Sequence, residues 1–291
     1  MAASPVSSGL SRVLCATDFS PCANLAVKQA LTLAAPSKAK LWLLHVLASV
    51  PVPISTDVGF PCSEVDRKQA EKNFRQVENS REFQTIDHCI LIRRGSLADV
   101  VSDVVYAEEI DLVVLGTHGR SGLRKILMGS SAEEVCRIVS SAVLTIGPHA
   151  SVRSEFRRIL FATDFLTGSL RAANYAIFLG AQAHGNITML HVVDESEALS
   201  PRAHDRTPQG AFQKLKSMFP LDSKLRTSHQ ILTRFGLPAQ TILNVAEEER
   251  SDLIVMGVRK TRVPALSTHL PDTVESHVAA HACCPLLTVR G

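Results

Sequence analysis

The chain has 291 residues, 45% of them hydrophobic, 20% charged and 5% aromatic, with a formal net charge of +3. That suits two ordinary domains or one large one with an aliphatic core, and it excludes the strongly basic footprint of a nucleic-acid binder. The opening MAASPVSSG has no apolar stretch of signal-peptide length, no run reaches membrane-spanning length free of charge or turn signals, and the seven cysteines show no CxxC spacing. The expectation is therefore a reducing cytoplasm, with no membrane contact, zinc site or disulfide framework.

Read from the start, Arg12–Ala16 is a short apolar strand. Ser20 or Pro21 then opens a helix, and Ala23, Ala26, Val27, Ala30, Leu31 and Leu33 recur at helical spacing along it. Leu41–Val46 is a second strand. A proline-rich loop, Val50–Pro61, leads to a polar helix over Ser63–Glu82. Ile86–Ile92 is the third strand, and Gly95-Ser96 starts a helix whose Leu97, Val100, Val101, Val104 and Val105 face inward. Leu112–Leu115, Ala132–Ser140 and Ala142–Ile146 complete the series as strand, helix and strand. Cys15, Cys89 and Cys136 fall in apolar segments and read as small packed hydrophobes.

The chain then repeats itself. Arg12 to Val46 aligns without gaps on Arg158 to Val192, RVLCATDF matching RILFATDF and LLHV matching MLHV. Gly95-Ser96-Leu97-Ala98 corresponds to Gly236-Leu237-Pro238-Ala239, Ile110–Gly116 to Ser251–Gly257, and Ser140–Ile146 to Cys283–Val289. One domain has been duplicated, giving units over 1–148 and 156–291 with a join near Gly147–Glu155. Near-continuous aliphatic strands alternating with helices predict an α/β fold: two tandem open parallel five-stranded sheets, helices on both faces, Rossmann-like, related by a pseudo-two-fold. The last strands, Ala142–Ile146 and Pro285–Val289, are expected to pair within the chain and cover each other's edge. A four-domain homodimer of two chains is a further expectation.

Ligands of such sheets sit beyond the carboxyl ends of the strands, where strand order reverses. There the sequence places LVVLGTHGRSGLRKILMGSSAEE, a strand followed by Gly116, Gly119, Gly129, Ser130 and Ser131 in the pattern Gly-x2-Gly-x9-Gly-Ser. Glycines allow a nest of backbone N–H groups, and the helix beyond adds its dipole. Arg120, Arg124 and Lys125 supply positive charge, while Ser130 and Ser131 are placed to cap the helix, Ser131 and Glu134 standing at capping-box spacing. The loop is therefore expected to bind nucleotide phosphates. Asp18, at the end of the first strand, reads either as a ligand carboxylate or as a cap of the next helix. Val46 would offer main-chain groups and an apolar surface to a base. His45, repeated as His191, reads as structural, and His118 as an exposed loop residue.

Together, ATDFS, LLHV and the glycine pattern resemble the universal stress protein family, and the doubling resembles its tandem members. The resemblance covers nearly the whole chain. It implies the family's adenine nucleotide alpha-hydrolase-like fold and a regulatory, ATP-binding role in stress response, with Mg2+ or Mn2+ accompanying the nucleotide. It also implies adenine and ribose contacts at Ala16, Thr17, Asp18 and Val46, and phosphate contacts at Gly116, Gly119, Arg120, Gly129, Ser130 and Ser131. No catalytic residue is assigned: no orienting partner for Asp18 or His118 is recognisable, and TDFSPC replaces the Ser/Gly-rich loop of related adenylating folds, so at most weak ATP hydrolysis is expected. The partner proteins are not readable from the sequence. In the second copy Gly257 survives, but Lys260 stands for Gly119, and Asp272 and Thr273 stand for Gly129 and Ser130. Val263-Pro264 and Leu270-Pro271 stiffen the same loop, and the second copy is expected not to bind ATP in this manner. The vicinal Cys283-Cys284 pair is expected to pack rather than sense oxidation.

Overall fold

The computed structural model describes residues 9–47, 62–117, 128–193, 208–218, 228–258 and 273–291. Strand β1 (Arg12–Ala16) leads into α1 (Pro21–Ser37), which starts where the Ser20 hydroxyl accepts the Ala23 N–H and Pro21 fixes the first turn. It ends at Lys38, in the left-handed region at φ 53°. β2 (Lys40–Leu47) follows. The polar helix is two pieces, α2 (Cys62–Glu78) and α3 (Arg81–Gln84), anchored by the fully buried Phe74 and Phe83. β3 (His88–Arg94) lies two residues later than hydrophobicity alone suggests, because its register on β2 pairs Leu41 with His88 and Leu47 with Arg94. α4 (Leu97–Ala107), capped by the Ser96 hydroxyl on the Asp99 N–H, then β4 (Leu112–Gly116), α5 (Ser130–Ile138) and β5 (Ala142–Ile146) finish the first copy.

The second copy runs β6 (Arg158–Ala162), α6 (Thr167–Ala183), β7 (Asn186–Val193), α7 (Pro208–Met218), β8 (Ser228–Phe235), α8 (Pro238–Glu248), β9 (Leu253–Val258), α9 (Val274–His281) and β10 (Leu286–Arg290). Within each copy the strands are parallel. β5 and β10 pair antiparallel, Leu144 opposite Leu287, so the two five-stranded halves form one ten-stranded sheet in the order β3-β2-β1-β4-β5-β10-β9-β6-β7-β8.

Alternation along the strands sends one set of side chains to each face, and both apolar layers run through both halves. One layer packs Cys15, Leu43 and Val114 with α1 and their counterparts Phe161, Met189 and Val255 with α6. The other packs Leu14, Leu44 and Val113 with α4 and α5, and Leu160, Leu190 and Ile254 with α8 and α9. Polar clamps join the copies as well. Gln29, fully buried in α1, donates to Arg153 O at 3.0 Å and accepts the Arg153 N–H at 3.0 Å, and so holds the join between the copies. The Tyr175 hydroxyl of α6 reaches Asp111 O at 3.2 Å. No helix among the described residues is long and apolar enough to cross a membrane.

Candidate functional site

Strand order reverses between β1 and β4, and the carboxyl ends of these strands bring most of the predicted residues together. Ala16 closes β1 between Leu44 of β2 and Leu115 of β4. The next amide, Thr17 N–H, donates to Leu44 O at 2.8 Å. Val46 lies half-buried two residues further along β2, opposite Arg93. Gly116 ends β4 opposite Ile146. The Thr117 N–H then donates to Ile146 O at 3.0 Å, and Thr117 O accepts the Gly129 N–H at 2.7 Å. Thr117 is buried, and sequence reading passed it over between two glycines. It is the residue that closes the loop, bringing the start of α5 back to the end of β4. Gly119 and Arg120, with His118, Arg124 and Lys125, lie outside the described residues, as do Lys260, Val263-Pro264, Leu270-Pro271 and Asp272 of the second copy.

The Thr17-Asp18-Phe19 turn has a conformational job in both copies. Phe19 and Phe165 sit at φ 63° and 64°, a region costly for an aromatic residue. Side chains fold back to hold the turn. Thr17 Oγ1 accepts the Phe19 N–H and Asp18 Oδ1 accepts the Ser20 N–H, each at 3.0 Å. Thr163 and Asp164 repeat both bonds at 3.0 Å, and Asp164 also accepts the Ser169 hydroxyl at 3.2 Å. Asp18 therefore does not cap α1; Ser20 does, and Asp18 organises the turn before it. His45 Nδ1 meets Thr17 O at 2.7 Å, and His191 Nδ1 meets Thr163 O at 2.9 Å, so both histidines brace this turn from the neighbouring strand. Phe19 packs against the His45 ring at 4.9 Å.

The two surviving strand-end glycines serve packing. A Cβ on Gly116 would lie 2.9 Å from Ala23 N and from Cys22 C, and one on Gly257 would lie 2.6 Å from Gly168 C and Ser169 N. Each lets the strand end touch the first turn of the helix after β1 or β6. This explains why Gly257 persists in a copy that has lost the other two glycines.

The helix starts differ. α5 begins after Gly129, which has φ −60° and ψ 139° and offers no side-chain cap. Ser130 and Ser131 do not cap it, contrary to the capping-box reading: the Gly129–Thr117 bond starts the helix two residues earlier than a Ser131 cap would and puts both serines, exposed, in its first turn. The first-turn N–H groups, at the positive end of the helix dipole, thus lack a side-chain acceptor from the N-cap position. A Cβ at Gly129 would lie 2.8 Å from Thr117 O, so the approach of loop to helix requires glycine. In the second copy Thr273 caps α9 itself, its Oγ1 accepting the Ser276 N–H at 3.2 Å and bonding Ser276 Oγ at 3.0 Å. β9 also runs one residue past Gly257, with Val258 pairing Arg290 where the first copy turns away. The first copy's strand ends and its helix start without a side-chain cap suit a polyanion carrying an apolar group; the second copy's corresponding helix start is taken up by its own hydroxyl.

Comparison with known proteins fits this geometry. A model of the Universal stress protein family matches residues 9–147 and again 155–290. Universal stress protein G of Shigella flexneri is 32% identical over 148 residues, covering 46% of this chain and 99% of that protein. A universal stress protein of Mycolicibacterium smegmatis is 23% identical over 298 residues and covers 96% of both chains. Among solved structures, a universal stress protein from Archaeoglobus fulgidus superposes with a TM-score of 0.68 at 18% identity, over 96% of this chain and 98% of that one, which shows the fold.

Proposed function

Because the chain belongs to the universal stress protein family, in tandem form, we propose that it is a cytoplasmic regulatory protein of the stress response that holds ATP in its first domain, residues 1–148. The second domain, 156–291, holds no ATP and serves as the structural partner of the first. In this reading Ala16, Thr17, Asp18 and Val46 receive adenine and ribose. Gly116, Gly129, Ser130 and Ser131, with Gly119 and Arg120, receive the phosphates. Mg2+ or Mn2+ travels on the phosphate oxygens, whose charge it offsets. Occupancy then sets which protein partners are engaged, and two chains associate as a four-domain homodimer. The observation that carries the reading is the difference between helix starts: Gly129 leaves α5 without a side-chain cap, and Thr273 gives α9 one.

The test is release of bound nucleotide. Purified protein is denatured and the supernatant analysed for adenine nucleotides, with ATP titration of the nucleotide-free chain alongside. Intact ATP at about one per chain is expected. Recovered ADP would assign slow turnover instead, and no binding even on titration would overturn the proposal. Equal occupancy of both halves in a crystal soaked with ATP would overturn the assignment to the first domain. Sedimentation as a strict monomer at high concentration would dispose of the homodimer.

A further inference from the structure

The opposite rim of the second domain carries a cavity of about 150 Å³, at the amino ends of β6, β7 and β8 and beneath the end of α8. Its described lining is mostly polar, with Asn186, Thr188, Ser228, Gln230 and Ser251 beside the titratable Arg158, His229 and Glu249. The duplication shows how it arose. Arg12 pairs Lys40 in the first copy as Arg158 pairs Asn186 in the second, and Trp42 pairs Cys89 as Thr188 pairs Gln230. Ile110 N–H bonds Val105 O as Ser251 N–H bonds Ala246 O, so Ser251 stands where Ile110 does. In the first copy Trp42 and Ile110 fill this space, 5% and 4% exposed, with the Lys40 ammonium 5.2 Å above the indole. The second copy replaces indole, ammonium, thiol and isoleucine by hydroxyl, amide, amide and hydroxyl. The volume lost was not refilled by other apolar side chains, although a well-packed core tolerates few such voids.

Thr188 is the informative residue. It is only 7% exposed, it lines the cavity, and its hydroxyl has no hydrogen bond to any described residue. Its oxygen opens to the cavity rather than being sealed away, so water or a ligand hydroxyl there can meet it. The Arg158 guanidinium is already engaged by Asp252 Oδ1 at 3.2 Å, which leaves Glu249 as the carboxylate of the lining. Ser228 already donates its hydroxyl to Asn186 Oδ1, while Thr188, Gln230 and Ser251 can both donate and accept. Such a wall suits groups that do the same, and the Glu249 carboxylate disfavours an anion. We propose that this cavity is a binding site for a small neutral polyol, independent of the nucleotide site at the other end of the strands.

The full chain, labelled with nitrogen-15, is titrated with glycerol and with erythritol, and inorganic phosphate is run in parallel. Saturable amide shifts are expected at Thr188, Gln230 and Ser251 with a polyol and not with phosphate. Thr188→Val keeps the volume and removes the hydroxyl, and should weaken binding about fivefold. Thr188→Trp restores the plug of the first copy and should abolish it. Shifts that rise linearly without saturating, saturable binding of phosphate in place of polyol, or unchanged binding in a folded Thr188→Val chain would each overturn the proposal.

Discussion

Thr145 and Thr288 each reach across the centre of the sheet to the main chain of the other copy: the Thr145 hydroxyl donates to Leu286 O at 3.2 Å and the Thr288 hydroxyl to Val143 O at 3.3 Å. Both residues are buried, and they occupy matching places in the two copies. The pseudo-two-fold axis passes between them, so the seam is tied by side chains as well as by the backbone ladder. Replacing either by valine keeps the volume and removes one bond. Each single change is expected to lower unfolding free energy by about 1 kcal/mol in urea titration. Unchanged midpoints in both variants would show that these bonds add nothing to the ladder.

Strand-end and loop glycines should separate in their effects. Gly116→Ala and Gly257→Ala both push a methyl into the backbone at the start of the neighbouring helix. Each is expected to destabilise the chain by about 1–3 kcal/mol, whichever copy it is in and whether or not ATP is present. Gly129→Asp copies the second domain; its Cβ would press on Thr117 O at 2.8 Å, so it too is expected to lower stability, but it alone is expected to abolish ATP binding while the far-UV spectrum stays that of the folded chain. Calorimetric titration beside thermal unfolding reads both effects. Retained ATP affinity in Gly129→Asp would contradict the assignment.

Alkaline pH should loosen the fold in a definite window. Burial, reinforced by the charge of Asp111, pushes the Tyr175 hydroxyl up to about 12 from its ordinary 10.0. Burial likewise pushes the Cys136 and Cys284 thiols up to about 12 from 9.0. Each group keeps its proton in the folded chain at pH values where the unfolded chain has lost it. Between pH 9 and 12 the folded state therefore binds more protons, and stability falls as pH rises; below that window these groups add no slope. Tyr175→Phe should flatten the decline above pH 10 by an amount on the order of 2 kcal/mol. Denaturation midpoints of both proteins across this range measure it, and identical slopes would refute the assignment.

Thiol reactivity should follow the same burial. Cys283 is exposed, whereas Cys15, Cys22 and Cys284 are buried and Cys136 is half-buried with its thiol raised. Brief iodoacetamide treatment of the folded chain near about pH 8 should modify Cys283 well before Cys136 or Cys284, since the thiolate is the reactive form. Peptide mass spectrometry reads the order. Cys136 or Cys284 reacting as fast as Cys283 would contradict the packing described.

The architecture was legible because aliphatic strands, helical stripes and the internal repeat all pointed to one answer. The register of β3 was not, because Ile86 looks as apolar as the strand itself and only pairing with β2 sets its ends. The α2–α3 break was hidden in a mostly polar run whose buried anchors, Ala70, Phe74 and Phe83, lie on both sides of it. At the candidate site the glycine spacing and the TDF repeat were visible, but their division of labour was not. Which glycine packs against a helix, and which residue caps one, depends on backbone approach that spacing does not encode. The Trp42-to-Thr188 and Ile110-to-Ser251 exchanges stand in plain view once the copies are aligned. Their consequence, a hollow in the second half, needs the third dimension.

Pairing β5 with β10 consumes both inner margins of the sheet within a single polypeptide. Among the described residues the border strands are β3 and β8, and each carries arginine near its end: Arg93 and Arg94 close β3, and Arg234 precedes the last residue of β8. Positive charge on a border strand discourages a stray strand from adding there. Gene duplication has thus doubled the length of the molecule without doubling the places where it can polymerise.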